Sequence, residues 1–211
     1  MEDLVKKYAF YILGNLEHIK RTIELATMAM EIDGDLCEVG TYIGGNCAIM
    51  GELCKHYKKD KTIYLFDSFE GIPYPTEEDT VIPGEPEGIE RTGELKSTGV
   101  SVATLEWVQR VLTMSGYPNF VIMKGWVQNS IKPALAILKK IAFLRIDLDL
   151  YAPTKYTLEN LYDRVVKTGI VFVHDYETLP GCRQAVDEFL KLHPEITPTV
   201  DTIGGGVWWV K

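Results

Sequence analysis

Short apolar runs alternate along this chain with stretches in which apolar residues recur every three or four positions. Between residues 3 and 30, Leu13, Leu16, Ile19, Ile23, Leu25, Ala26 and Met30 follow the helical spacing, and Asp33-Gly34 breaks it. Leu36 to Val39 has the look of a first strand, feeding Gly40-Thr41-Tyr42-Ile43-Gly44-Gly45 and a helix from about Cys47 to Tyr57. A second strand, Thr62 to Asp67, ends on a carboxylate. From Ser68 to about Ser101 the pattern lapses into a polar segment punctuated by Gly71, Pro73, Pro75, Pro83, Gly84, Pro86, Gly88, Gly93 and Gly99. A loop of this length inside a compact domain is usually an active-site lid or a disordered insert, and we read it as a lid.

The alternation then resumes. A helix is expected over Val102 to Met114, a strand over Phe120 to Lys124, a helix from about Val127 to Leu138, and a strand from Ala142 to Asp147. Pro153 suits the first turn of a helix running to Val166, followed by a strand from Ile170 to His174 and a helix from about Gly181 to Leu192. Two short strands, Ile196 to Val200 and Gly206 to Val210, close the chain. Strand and helix in alternation predict a doubly wound α/β sheet, mostly parallel, with the last two strands as an antiparallel edge hairpin. No repeat or linker divides the chain, so one domain over 1–211 is expected, with residues 1–33 as an N-terminal helical segment.

Composition narrows the function. The 211 residues carry a net charge of −8 without a Lys/Arg block, which argues against nucleic acid and anionic membranes as partners. No apolar run reaches spanning length and the N-terminus lacks a signal-peptide pattern, so a cytoplasmic protein is expected. Cys37, Cys47, Cys54 and Cys182 form no Cys-x-x-Cys pair and read as reduced structural thiols.

The chemistry gathers at strand ends, where ligands of open α/β sheets bind. The glycine-rich turn at 40–45 lets a ligand approach the backbone closely, although its spacing is not that of pyrophosphate binders. Asp67 is placed to accept hydrogen bonds from a ribose diol, with a helix-capping aspartate as the plainer alternative. Lys124-Gly125-Trp126 offers a slot for a flat base or, equally, a core tryptophan. Asp147-Leu148-Asp149 and His174-Asp175 end two apolar strands. They make either a cation site on Asp147, Asp175 and His174 with Asp149 as base, or a cap, an Asp149 pair with Arg145 or Lys155, and a buried histidine. His18, His56 and His193 carry no assigned role.

Together these segments resemble the macrocin O-methyltransferase family. The shared blocks are Glu38 to Gly45, Asp67 to Gly71, Lys124 to Trp126, Leu144 to Tyr151, and His174-Asp175-Tyr176 through Gly181-Cys182-Arg183-Gln184-Ala185-Val186. The resemblance implies a class I methyltransferase (Rossmann-like) fold and an S-adenosylmethionine-dependent transfer to a hydroxyl of a sugar or glycosylated natural product. It places the cofactor on Glu38, Gly40, Thr41, Tyr42, Gly44 and Gly45, its ribose on Asp67 and Ser68, and adenine by Gly125 and Trp126, with Asp147 at the reacting end. It also implies magnesium on Asp147 and Asp175, Asp149 as base, and assembly as an oligomer in some members. Two positions depart from the family pattern: His174 stands where a carboxylate ligand is usual, and Leu148 where glycine is frequent. The imidazole joins the donor set and shifts it toward softer divalent metals. A metal-dependent glycosyltransferase using Asp-x-Asp, a catalytically silent cofactor-binding module, and a phenolic or catechol acceptor are the alternatives.

Overall fold

The computed structural model describes residues 1–82 and 84–211; Pro83, one of the residues punctuating the lid, lies outside them. Seven strands form one sheet: β1 (Asp35–Val39), β2 (Ile63–Asp67), β3 (Phe120–Lys124), β4 (Ile141–Ile146), β5 (Val165–Val173), β6 (Thr199–Asp201) and β7 (Gly206–Val210). Their order is β3-β2-β1-β4-β5-β7-β6. The first five are parallel, and β7 pairs antiparallel with both β5 and β6. This is the expected doubly wound class I methyltransferase architecture, with its switch point between β1 and β4. Strand β5 starts at Val165, five residues before the apolar run that announced it, and the preceding helix stops at Leu161.

The strands alternate between two helical layers because successive side chains point to opposite faces. Leu36, Ile63, Leu65, Phe143, Ile170 and Phe172 pack under α1 (Glu2–Tyr8), α2 (Leu16–Met28), α3 (Gly45–Tyr57) and α4 (Leu105–Ser115). Cys37, Val39, Phe66, Leu144, Val171 and Val173 pack under α5 (Val127–Ala134), α6 (Tyr151–Leu161) and α7 (Pro180–Leu192). Glu38 and Arg145 keep the phase of Leu36 and Phe143, so both are driven into the first layer.

The N-terminal segment is not the single helix its periodicity predicts. It breaks after Tyr11, and residues 12–15 run as a strap before α2 begins. Asn15 caps α2 by accepting the His18 amide at 3.0 Å, which supplies a partner to a first-turn N–H. Gly14-Asn15 was the legible stop-and-cap signal that the longer apolar spacing concealed. Among the described residues no helix is long and apolar enough to cross a membrane.

Candidate active site

The parallel strands run past the sheet's last ladder bonds into one cleft. Gly40 donates to the Phe66 carbonyl (2.8 Å), Gly125 to Asp67 (2.9 Å), Asp147 to Val39 (2.8 Å) and His174 to Ile146 (2.8 Å). Neighbouring strand ends are therefore held level, and a cleft of about 280 Å³ opens above them. Glu38, Gly40, Thr41, Tyr42, Gly45, Asp67, Ser68, Gly125, Trp126, Asp147, Asp149, His174 and Asp175 all border it. Of the residues assigned from the sequence to the cofactor, the metal or the base, Gly44 alone does not; it takes a left-handed φ of 86° at the position just before α3. With no side-chain cap there, the first amides of α3 remain available to an anion.

The glycine turn is a close-approach device. Gly40 has φ +86°, and a Cβ there would lie 1.7 Å from the Asp147 carbonyl. Gly40→Ala combines a disfavoured dihedral with a backbone clash, so it should destabilise the fold by well over ~1 kcal/mol. A thermal melt within 1 °C of wild type, at an error of about that size, would contradict this.

Asp67 anchors the same turn. Its Oδ2 accepts the amides of Thr41 (2.9 Å) and Tyr42 (2.8 Å), and its Oδ1 that of Phe69 (2.7 Å). Burial pushes its carboxyl up against those three amides. A carboxylate has about four acceptor directions, so room for a ribose hydroxyl remains but is limited.

Below the turn lies a buried ionic chain that sequence spacing did not reveal. Glu38 and Arg145 are direct register partners across β1 and β4. Arg145 Nη1 donates to Glu38 Oε1 at 2.7 Å and to Asp147 Oδ2 at 2.8 Å, and its Nε lies 3.2 Å from Thr22 Oγ1 on α2. The plainer alternative, Asp149 paired with Arg145 or Lys155, is not formed among the described residues. Arg145 serves Asp147, and Lys155 pairs with Glu188 at 2.8 Å. Glu38 also accepts from Asn46 (3.1 Å) and from the Cys47 thiol (2.8 Å), so both its oxygens are engaged within the protein.

His174 sits between the acidic groups. Its Nδ1 bonds Asp147 Oδ1 at 2.9 Å and lies 2.8 Å from Asp175 Oδ2, which is buried yet has no hydrogen-bond partner in line. Burial favours the neutral imidazole, but Asp147 and Asp175 outweigh it and raise the pKa to about 10. For Asp147 burial acts upward, and the His174 and Arg145 charges overcome it and hold the carboxyl well below its usual range. Asp149 goes the other way: burial, then the Asp175 and Asp147 charges, push it well up. Two carboxyls two residues apart are thereby driven to opposite protonation tendencies.

Sequence reasoning missed two contributors, the strap and His18. The strap places Tyr11, Ile12 and Leu13 on the cleft wall, with Ile12 directly over the start of α3. His18 on α2, fully buried, packs edge-on against His174 with ring centroids 4.4 Å apart. Burial, then the Arg145 charge, lowers its pKa to about 3, so it stays neutral. The 68–101 segment, expected to border the site, contributes Ser68, Gly71, Ile72, Pro73 and Ser101 to the cleft.

Comparisons with known proteins agree with this geometry. A family model described as Macrocin-O-methyltransferase (TylF) matches residues 7–211. The demethyldecarbamoylnovobiocin O-methyltransferase of Streptomyces niveus is 32% identical over 208 residues, covering 94% of this chain and 74% of the relative. The mycinamicin III 3''-O-methyltransferase of Micromonospora griseorubida is 30% identical over 200 residues, covering 93% and 74%. The solved structure of the O-methyltransferase NovP superposes with a TM-score of 0.76 at 28% identity, over 93% of this chain and 80% of that one. The calicheamicin methyltransferase CalS11 shares the fold, with a TM-score of 0.75 at 20% identity, over 92% and 79%. With a matching model over nearly its whole length, this chain belongs to the macrocin O-methyltransferase family and is an S-adenosylmethionine-dependent O-methyltransferase.

Proposed function

We propose that the acceptor is a hydroxyl on the sugar of a glycosylated small molecule and that Asp149 takes its proton. The observation that carries the reading is the grouping of Asp149 with Asp147, His174 and Asp175 in the cleft that the glycine turn also lines. The cofactor's sulfonium supplies an electrophilic methyl group. The residues do the remainder: Gly40 to Tyr42 and the uncapped start of α3 receive the amino-acid end, Asp67 and Ser68 the ribose, and Trp126 the base. An alcohol is a weak nucleophile until its proton leaves, and Asp149 borders the cleft as a carboxylate that can take it. Holding the oxygen in line with the methyl group supplies the rest by proximity.

Asp147, His174 and Asp175 fit a divalent ion. Their donor atoms lie within 4.8 Å of one another, Asp175 Oδ2 is buried with no hydrogen bond in line, and an ion bound there would displace the Nδ1 proton of His174. Such an ion, when bound, lowers the pKa of a hydroxyl held on it. An imidazole among two carboxylates favours Mn²⁺ over Mg²⁺, by roughly tenfold in affinity, and His174→Asp should shift the preference toward Mg²⁺. Calorimetric titration of the purified protein with each ion checks this; equal affinities in both proteins would refute the ligand role of His174.

The reading places the enzyme in the cytoplasm with no nucleic-acid partner; its four free, buried cysteines fit a reducing compartment. The glycosyltransferase alternative does not stand for a member of this family. The relatives' substrates, demethyldecarbamoylnovobiocin and mycinamicin III, are the first acceptors to assay, by the mass gain of one methyl group. Binding of S-adenosylhomocysteine without methylation across a panel of deoxysugar glycosides, set against turnover of a simple catechol, would overturn the sugar assignment.

A further inference from the structure

Asp149 is held in an unusual backbone state. Its φ is +63°, and the Leu150 amide donates across it to the Leu148 carbonyl at 2.6 Å, closing a three-residue turn. A turn of that kind around a non-glycine residue is rare and strained, and it persists only where its surroundings over-determine it. The next residue, Tyr151, opens α6, and Leu150 before it provides no side-chain cap.

The surroundings come from the lid. Asp79, in the middle of the 68–101 segment, is only 1% exposed. Its Oδ1 accepts the Tyr151 amide at 2.7 Å, while its Oδ2 accepts the Thr76 amide (2.9 Å) and hydroxyl (3.1 Å). A carboxylate from a distant loop thus caps the helix that follows the Asp147-Leu148-Asp149 turn. Ile72 and Ile82 of the lid pack on Leu150, so an apolar contact reinforces the polar one. The chain also leaves space for the carboxylate: a Cβ on Gly181, in the first turn of α7, would lie 1.9 Å from Asp79 Oδ1. Within the lid, the Ile72 amide donates to the Val100 carbonyl and the Thr98 amide to the Ile72 carbonyl, both at 2.9 Å, so the loop is folded on itself and presents Asp79 from a fixed base.

We propose that Asp79 is a positioning residue for the methyl transfer: through the Tyr151 amide, the lid holds Asp149 in the turn that directs it into the cleft. The lid therefore does more than exclude water. Opening it removes the cap from α6 and releases the strained turn, so the base is set only when the lid is closed. This rests on the assignment of Asp149 as base, but its structural half is measurable without turnover.

The test uses the full-length protein with Asp79→Ala, Gly181→Ala and the double substitution. Gly181→Ala leaves the carboxylate in the chain but pushes it off the amide. Amide exchange resolved by NMR should show Leu150 and Tyr151 exchanging at least about tenfold faster in both single variants, with β1 and β4 unchanged. Calorimetric affinity for S-adenosylhomocysteine should stay within about twofold. With whichever tested glycoside is methylated, kcat should fall at least about tenfold in each single variant, and the double should be no worse than Asp79→Ala alone. Asp79→Asn, which keeps one acceptor oxygen, should recover part of both losses. Unchanged exchange at Leu150 in Asp79→Ala overturns the proposal even if no acceptor is found. So does cofactor affinity falling in step with kcat, since that marks general collapse of the site, or strictly additive effects in the double variant. Loss of the base assignment would appear separately, as an Asp149→Asn enzyme with normal turnover.

Discussion

Asp149→Asn should lower turnover by a factor on the order of 10²–10⁴ while leaving S-adenosylhomocysteine affinity within about twofold of wild type. The amide keeps the size and polarity of the side chain but cannot take a proton from an attacking hydroxyl. Burial, and then the Asp175 and Asp147 charges, push this carboxyl up from the usual range, and a carboxyl so shifted holds an accepted proton more firmly. Its neighbour two residues earlier is committed elsewhere, bonded to Arg145 and His174 and held ionised. Single-turnover kinetics with the methylated glycoside and calorimetry with the product cofactor read the two quantities independently. Parallel loss of both would mean that Asp149 supports the pocket and takes no part in proton transfer.

Arg145→Met should be the most damaging change to stability. Arg145 is fully buried between Glu38, 1% exposed, and Asp147. Removing the cation leaves Glu38 buried without a charge partner and Asp147 with His174 alone, and breaking a buried pair in this way costs about 3–5 kcal/mol. Against a typical domain stability of about 5–15 kcal/mol, that is a large share. Urea unfolding at neutral pH measures it. The pH dependence then identifies the cause. Burial already pushes the Glu38 carboxyl up, and the Arg145 charge opposes that shift. Without the arginine the folded-state pKa rises further above its unfolded value. The native state then binds more protons than the unfolded one, so stability increases as pH falls through that range. A variant that loses less than about 1 kcal/mol, or that gains nothing on acidification, would show that the pair is not what supports β1 against β4.

Much of the site was readable because its residues lie where strands stop. Val39, Asp67, Lys124, Ile146 and Val173 end the five parallel strands, and the polar residues at or just beyond those ends were the ones singled out. Their convergence follows from a parallel sheet whose neighbours are in step, so the reading needed only the alternation of strand and helix. The N-terminal segment was misread for a local reason. Apolar residues at helical spacing continue through the break, and the Gly14-Asn15 signal that ends one helix and caps the next was outweighed. As a result the strap over the glycine turn and the histidine beneath His174 went unnoticed.

Spacing along one chain carries the periods of the backbone, 2.0 for a strand and 3.6 for a helix, and those sufficed for the sheet, its two covering layers and the acidic strand ends. Partnership across the fold obeys a different constraint. Arg145 stands four residues before Asp149 in the chain, yet it meets Glu38 because β1 and β4 pair in one particular register. Asp79 reaches the Tyr151 amide only because a long loop folds back over α6 and α7. Register and loop path depend on the packing of the whole molecule, so the ionic chain beneath the cleft and the cap above it were decided in three dimensions.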